Sequence, residues 1–124
     1  MEFEVSTSER VDIVDITEQV NERVFTDAET CTVFVPHTTA GVVVNENESG
    51  LLADLKTALS TLVPEGDDYQ HDQLDDNADA HLRAMLLGSH VTIPVESGDL
   101  ALGTWQSVLF VDCDGPRTRR VLVK

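Results

Sequence analysis

Apolar and polar residues alternate along much of the first third of the chain. Phe3 and Val5, then Val11, Ile13 and Ile16, stand on either side of a polar stretch at residues 6–9. That is the pattern of an opening β-hairpin. Thr17 stands where a helix cap would, before TEQVNERVF, whose Val20, Val24 and Phe25 share one face. β-Branched runs at residues 30–36 and 41–45 predict two strands flanking His37, Thr38 and Thr39.

The period changes at Ser49. Leu51, Leu52, Leu55, Leu59 and Leu62 recur at steps that put them on one side of a helix, which Pro64 ends. A polar loop, EGDDYQHDQLDD, leads to a second helix, NADAHLRAMLLG, with Asn77 as N-cap and Gly88 as its stop. There Ala78, His81, Leu82, Met85 and Leu86 form the apolar stripe, so His81 is expected to face inward and Asp79 and Arg83 the other way. The last third reads as strand: HVTIPV, LALGTWQSVLFVDC, a DGPR turn and TRRVLVK. Strands and helices do not alternate as in a doubly wound fold. The pattern predicts an α+β fold, a largely antiparallel sheet packed by two or three helices, in one domain over residues 1–124.

Composition narrows the function classes. A hydrophobic fraction of 41% suits a folded core rather than a disordered chain. No apolar run approaches the roughly 18 residues that cross a bilayer. The start, MEFEVSTSER, lacks the basic end and greasy middle of a signal peptide, so a cytoplasmic protein is expected. Asp and Glu total 23 against 8 Lys and Arg, a net charge of −15. Such a field repels phosphate backbones and anionic lipid, which argues against nucleic acid or membrane as partner. Only Lys56 and Lys124 are lysines, and acid excess with so little lysine predicts a surface adapted to high salt. Cys31 and Cys113 form no CxxC pair and read as reduced core thiols.

Histidine is the main candidate for chemistry. His37 ends a strand and shares its period-two face with Cys31, Val33 and Val35, either bonded to nearby backbone or walling a pocket. His71 lies in the polar loop beside Tyr69, and His90 reads as an exposed edge residue without a role. His37, His71 and His81 match no compact ligand motif. If they met, three neutral imidazoles with one open position would suit zinc acting as a Lewis acid. Arg117 and Arg119 lie two apart on the terminal strand, on the face of Val121 and Val123. They would grip a phosphate or carboxylate, or pair with surface acids. Trp105 is core packing or the wall of a pocket for a planar ring, with Gln106 on the opposite face. Asp67-Asp68 and Asp75-Asp76 read as solvated loop charge.

Several short motifs follow one another in a telling order: His37-Thr38-Thr39-Ala40, Asn45-Glu46, Tyr69-Gln70-His71, Asn77-Ala78-Asp79-Ala80-His81-Leu82, Gly103-Thr104-Trp105-Gln106, and Asp114-Gly115-Pro116-Arg117 with Arg119. The series resembles the YjbQ family. The resemblance implies a small α+β protein with a curled mixed sheet that assembles as a homotrimer. It implies that His37, His71 and His81 converge on a divalent metal, zinc foremost or else magnesium. It makes His37 and Glu46 the catalytic candidates, with Glu46 a general acid/base or a partner to a ligand imidazole. Thr38, Thr39, Asn45, Trp105, Arg117 and Arg119 become the substrate-binding candidates. The sequence departs from the family pattern at Leu74-Asp75-Asp76, where an acidic-glycine turn is common. The activity implied is that of a thiamine-phosphate synthase, which joins a pyrimidine diphosphate to a thiazole phosphate and releases diphosphate. The expectation is a small metal-associated enzyme acting on a small phosphorylated substrate. Two alternatives stand beside it: a zinc-dependent hydrolase of small esters or amides with Glu46 as base, and a non-catalytic trimeric binding or scaffold protein.

Overall fold

In the computed structural model, which describes residues 1–124, two antiparallel sheets share a core. The chain runs β1 (Glu2–Ser6), β2 (Asp12–Asp15), α1 (Thr17–Asn21), β3 (Thr30–Phe34), β4 (Ala40–Asn45) and α2 (Ser49–Leu62). After a 3-10 turn (Gln70–Gln73) come α3 (Ala78–Leu87), β5 (His90–Glu96), β6 (Asp99–Leu100), β7 (Ser107–Asp112) and β8 (Thr118–Val123). One sheet has the order β1-β8-β3-β5-β6 and the other β2-β7-β4. Every pairing is antiparallel, so the α+β reading holds, with no parallel pair to make the sheet mixed.

The central strand β7 shows how the layers stack, because it is buried on both faces. Val108 and Phe110 join the core between the sheets, together with Val33, Val42 and Val121. Val111 and the following Cys113 point the other way, toward Leu59 of α2 and Ala80 of α3. A period-two strand can supply both layers only when its two faces are both apolar. Both cysteines are buried and unpaired by disulfide.

The opening hairpin does not form. β1 pairs with β8, from Glu2 opposite Leu122 to Ser6 opposite Thr118, while β2 pairs with β7 in the other sheet. The segment between them crosses from sheet to sheet, held where Thr7 Oγ1 donates to Asp112 Oδ2 at 2.7 Å. Glycine at 115 permits this crossing, since a Cβ there would collide with the carbonyl of Glu9. The expected threonine cap of α1 is not used. Thr17 bonds back to Asp15, and Glu48 caps α2 by accepting from the Gly50 and Leu51 amides. The long strand expected around Trp105 is interrupted by a turn in which Gln106 Oε1 accepts from the Gly103 amide at 2.8 Å. Trp105 is therefore 73% exposed rather than packed in the core.

Helix α3 turns the expected way in chain position but the opposite way in space. Asp79 and Arg83 are buried, while Met85 is 75% and Leu86 63% exposed. The buried face is held by directional bonds: Arg10 grips Asp79 bidentately at 2.7 and 3.1 Å, and Arg83 donates twice to the Val63 carbonyl. Burial would raise the Asp79 pKa, but the Arg10 hydrogen bond and the charges of Arg10 and Arg83 hold it below the usual carboxylate range.

Candidate functional site

The end of β3 comes against the end of α3 because β4 carries a glycine where they meet. A Cβ on Gly41 would lie 2.7 Å from the Gly88 carbonyl and 2.9 Å from Leu87 Cβ. With hydrogen there, the Val42 amide reaches the Gly88 carbonyl at 3.0 Å and the Val35 amide reaches Ser89 at 2.8 Å. This close approach leaves a cavity of about 370 Å³ between the two ends, walled by His37, Thr38 and Ala40 on one side and His81, Met85 and Ser89 on the other.

His81 serves a second cavity as well. On its far side it lines a space of about 490 Å³ with Tyr69, His71, Leu82 and Met85. The His71 and His81 rings stand edge to face with centroids 4.6 Å apart. The loop bearing His71 is tied down by Tyr69 Oη donating to the Pro64 carbonyl at 2.7 Å. Asp72 secures it further by accepting the Ala78 amide at 2.8 Å. Asp72 thus caps α3 in place of the expected Asn77 side chain, which instead donates to Asp114. Nε2 of His71 is buried without a hydrogen-bond partner, 3.8 Å from Asp75 Oδ2.

His37 is spoken for on one side. Its Nε2 accepts the backbone N–H of Arg120 at 2.9 Å, at the point where the β3–β8 ladder has run out. An imidazole nitrogen here does what a strand carbonyl does elsewhere. A neutral ring that accepts at Nε2 carries its proton on Nδ1, so its free polar group is an N–H donor. Burial, together with the nearby Arg119 and Arg120 charges, pushes the His37 pKa below its ordinary value and favours that neutral form.

Next to His37 in the fold lies a buried polar network. Arg119 donates through one nitrogen to Thr39 Oγ1 at 2.7 Å and Asp112 Oδ1 at 2.8 Å. Asp112 also accepts from Thr7 Oγ1 and the Asp114 amide. Burial alone would raise the Asp112 pKa, but the bonds from Arg119, Thr7 and the Asp114 amide keep it ionised below the usual range. Nε of Arg119 is buried and unpartnered.

The candidate residues therefore divide. His37, His71, His81 and Thr38 line the two adjoining cavities, and Thr39 lies in the network next to His37. Asn45 and Glu46 do not reach them and line a separate cavity against α2. Arg117 is exposed and pairs with Asp114 at 3.0 Å. It does not share a face with Arg119, because β8 begins only at Thr118. Trp105 lines neither histidine cavity. His90 is exposed, as expected. Three imidazoles do not form one ligand set within the chain, and no group of three or more His, Cys, Asp or Glu stands ready to hold a metal ion. The donor chemistry agrees, since His37 accepts the Arg120 amide with the lone pair a metal would need. Met85 and Ser89 complete the lining without being site candidates from sequence; Met85 follows His81 by one helical turn and so lies along its face, whereas Ser89 stands past the end of α3.

The profile described as UPF0047 protein YjbQ-like matches residues 1–124. The chain belongs to the YjbQ family. A UPF0047 protein of Archaeoglobus fulgidus is 56% identical, over 100% of this chain and 98% of its own. The UPF0047 protein YugU of Bacillus subtilis is 32% identical, over 98% of this chain and 95% of its own. The fold follows the family closely. A YjbQ/UPF0047 crystal structure from Clostridium acetobutylicum superposes with a TM-score of 0.94 at 39% identity, covering 100% of this chain and 98% of the other. A hypothetical protein from Aeropyrum pernix K1 gives 0.94 at 40% identity, covering 100% and 95%. No helix is long and apolar enough to cross a membrane.

Proposed function

We propose that this YjbQ-family chain is a small cytoplasmic enzyme that binds a phosphorylated small molecule in the cavity between His37 and His81 and moves a proton there. The carrying observation is the Arg120 amide held on His37 Nε2, which leaves Nδ1–H as that ring's free donor. Arg119 and Arg120 lie near His37, Arg119 paired with buried Asp112 at 2.8 Å and exposed Arg120 with Glu2 at 3.2 Å. The exposed Arg120 can exchange its surface carboxylate for an anionic ligand. Thr38 and Ser89 supply hydroxyls, and His81, unbonded by any protein group, is the candidate acid or base. The synthase-like reaction is the specific form of this reading, because both of its substrates carry phosphate.

Three histidines around one zinc do not fit this geometry within a chain, so no step is assigned to a metal. A divalent ion, zinc or magnesium, would find at most His71 and His81 side by side and would need further donors. The exposed Leu82, Met85 and Leu86 favour a second element of the reading, that neighbouring copies in a homotrimer close the cavities His81 shares.

Inorganic phosphate titrated into ¹⁵N-labelled protein should shift the His37 ring nitrogens and raise that ring's pKa. Product from a pyrimidine diphosphate and a thiazole phosphate supports the synthase form. Turnover of simple phosphate or acyl esters alone supports hydrolysis. Absence of any phosphate effect at His37 refutes the anion site.

A further inference from the structure

Glu46 stands apart from the histidine cavities, and its surroundings point to a separate use. Across from β4, Leu51, Leu52 and Leu55 of α2 face Val43, Leu87 and Leu109 around a cavity of about 170 Å³. Its lining is almost wholly aliphatic. Asn45 and Glu46 supply the polar edge. The Asn45 side chain is engaged, with Oδ1 accepting the Glu46 amide at 2.8 Å. The Glu46 carboxylate, half-buried, meets no donor or cation of the chain. It is not needed as a helix cap either, because Glu48 accepts both the Gly50 and Leu51 amides.

A carboxylate at the rim of an apolar cavity, with no partner in the chain and its oxygens open to solvent, is free to take a cation. The volume is close to that of an apolar cavity of about 150 Å³ known to hold benzene. The field of a chain at −15 gathers cations and turns anions away. We infer that this cavity is a binding site for a small organic ammonium, its ring or branched body among the leucines and its charged nitrogen on Glu46. No residue of it lines either histidine cavity, so the two readings stand or fall separately.

Benzylammonium is a suitable ligand to try, with benzyl alcohol and benzoate as matched controls. Their binding is read from the methyl resonances of the leucines in ¹³C spectra at low ionic strength. Benzylammonium should saturate shifts confined to Leu51, Leu52, Leu55 and Leu87, bind about tenfold tighter than the alcohol, and leave benzoate without effect. Glu46→Gln should reduce the ammonium to the affinity of the alcohol while leaving the alcohol unchanged. Leu55→Phe, which fills the space, should remove both. The inference is overturned if benzylammonium produces no saturable shifts, if it binds no better than the alcohol, or if either variant leaves its affinity intact. A thermal melt of each variant checks that it is folded, and should Glu46→Gln not fold, the comparison of ammonium with alcohol in the unaltered protein decides alone.

Discussion

Replacing Asp112 with Asn tests the polar network next to His37 with little change of shape. Asp112 is 0% exposed and Arg119 5%, and they meet at 2.8 Å. The amide keeps an oxygen for the Arg119 and Asp114 donors, and Thr7 can rotate to accept from its NH₂. What disappears is the negative charge, leaving a guanidinium buried without a counterion. Breaking a buried pair from one side costs about 3–5 kcal/mol. For 124 residues the entropy of unfolding is about 0.26 kcal/mol/K, so Tm should fall by about 12–19 °C. Adding Arg119→Met should recover much of the loss, since a methionine of similar length needs no counterion. Urea denaturation of the four proteins of the cycle, with calorimetry, measures both numbers. The pH sign is also fixed. The folded Asp112 pKa lies below the unfolded value near 3.9, so its stabilisation is present above that value and is lost as pH falls below it. Asp112→Asn should therefore flatten the acid limb of the stability curve. A loss under about 1 kcal/mol, or strict additivity with Arg119→Met, would refute the view of Asp112 as the counterion that makes Arg119 tolerable.

Other consequences follow from the same geometry. His37 should titrate below 6.5 in the folded protein; its share of stability is complete above 6.5 and falls as pH drops toward the folded value, and ring-proton NMR with melts at each pH tests both. Gly41→Ala should cost about 1–3 kcal/mol through the contact with Gly88 and weaken any phosphate effect at His37, as denaturation and NMR would show. Met85→Glu should turn an assembly into monomers by sedimentation velocity while leaving the fold intact, because the side chain is 75% exposed within one chain. Stability at a net charge of −15 should rise from low to multimolar KCl as self-repulsion is screened, and a flat or falling Tm would remove the high-salt reading.

The sequence pattern was most informative where one periodicity governed a whole element. The leucine repeat locates α2 and the β-branched runs locate β3 and β4, because periodicity is a local property, although of the five leucines only Leu59 is buried and Leu62 is 71% exposed. Partner choice is not local. Phe3 and Val5 announce a strand, yet nothing in their alternation says whether β2 or β8 lies beside it. The exposure of Trp105 is hidden for a similar reason, since a strand-like run conceals a turn made by the Gln106 side chain. Of the candidate site, His37 stands at a strand end and His71 lies beside His81. The resemblance grouped Glu46 with them through shared motif order, but the fold sends β4 away and leaves Glu46 against α2.

Helix α3 shows that an apolar stripe does not by itself say which face of a helix packs against its own chain. Leu82, Met85 and Leu86 of the stripe lie outward, and the buried residues are small or charged: Ala78, Ala80, Ala84, Asp79 and Arg83. Alanines allow the helix to lie close, and the Arg10–Asp79–Arg83 cluster supplies the attraction that leucines would otherwise give. That cluster fixes the first turn, while the hydrogen on Gly41 fixes the last by admitting the Gly88 carbonyl. His81 sits between the two anchors. Its ring is thereby held at the boundary of two cavities, next to an apolar surface free to receive another chain. A helix buried by leucines would have turned that same ring toward the sheet, so the charge inside and the candidate chemistry outside are two results of one orientation.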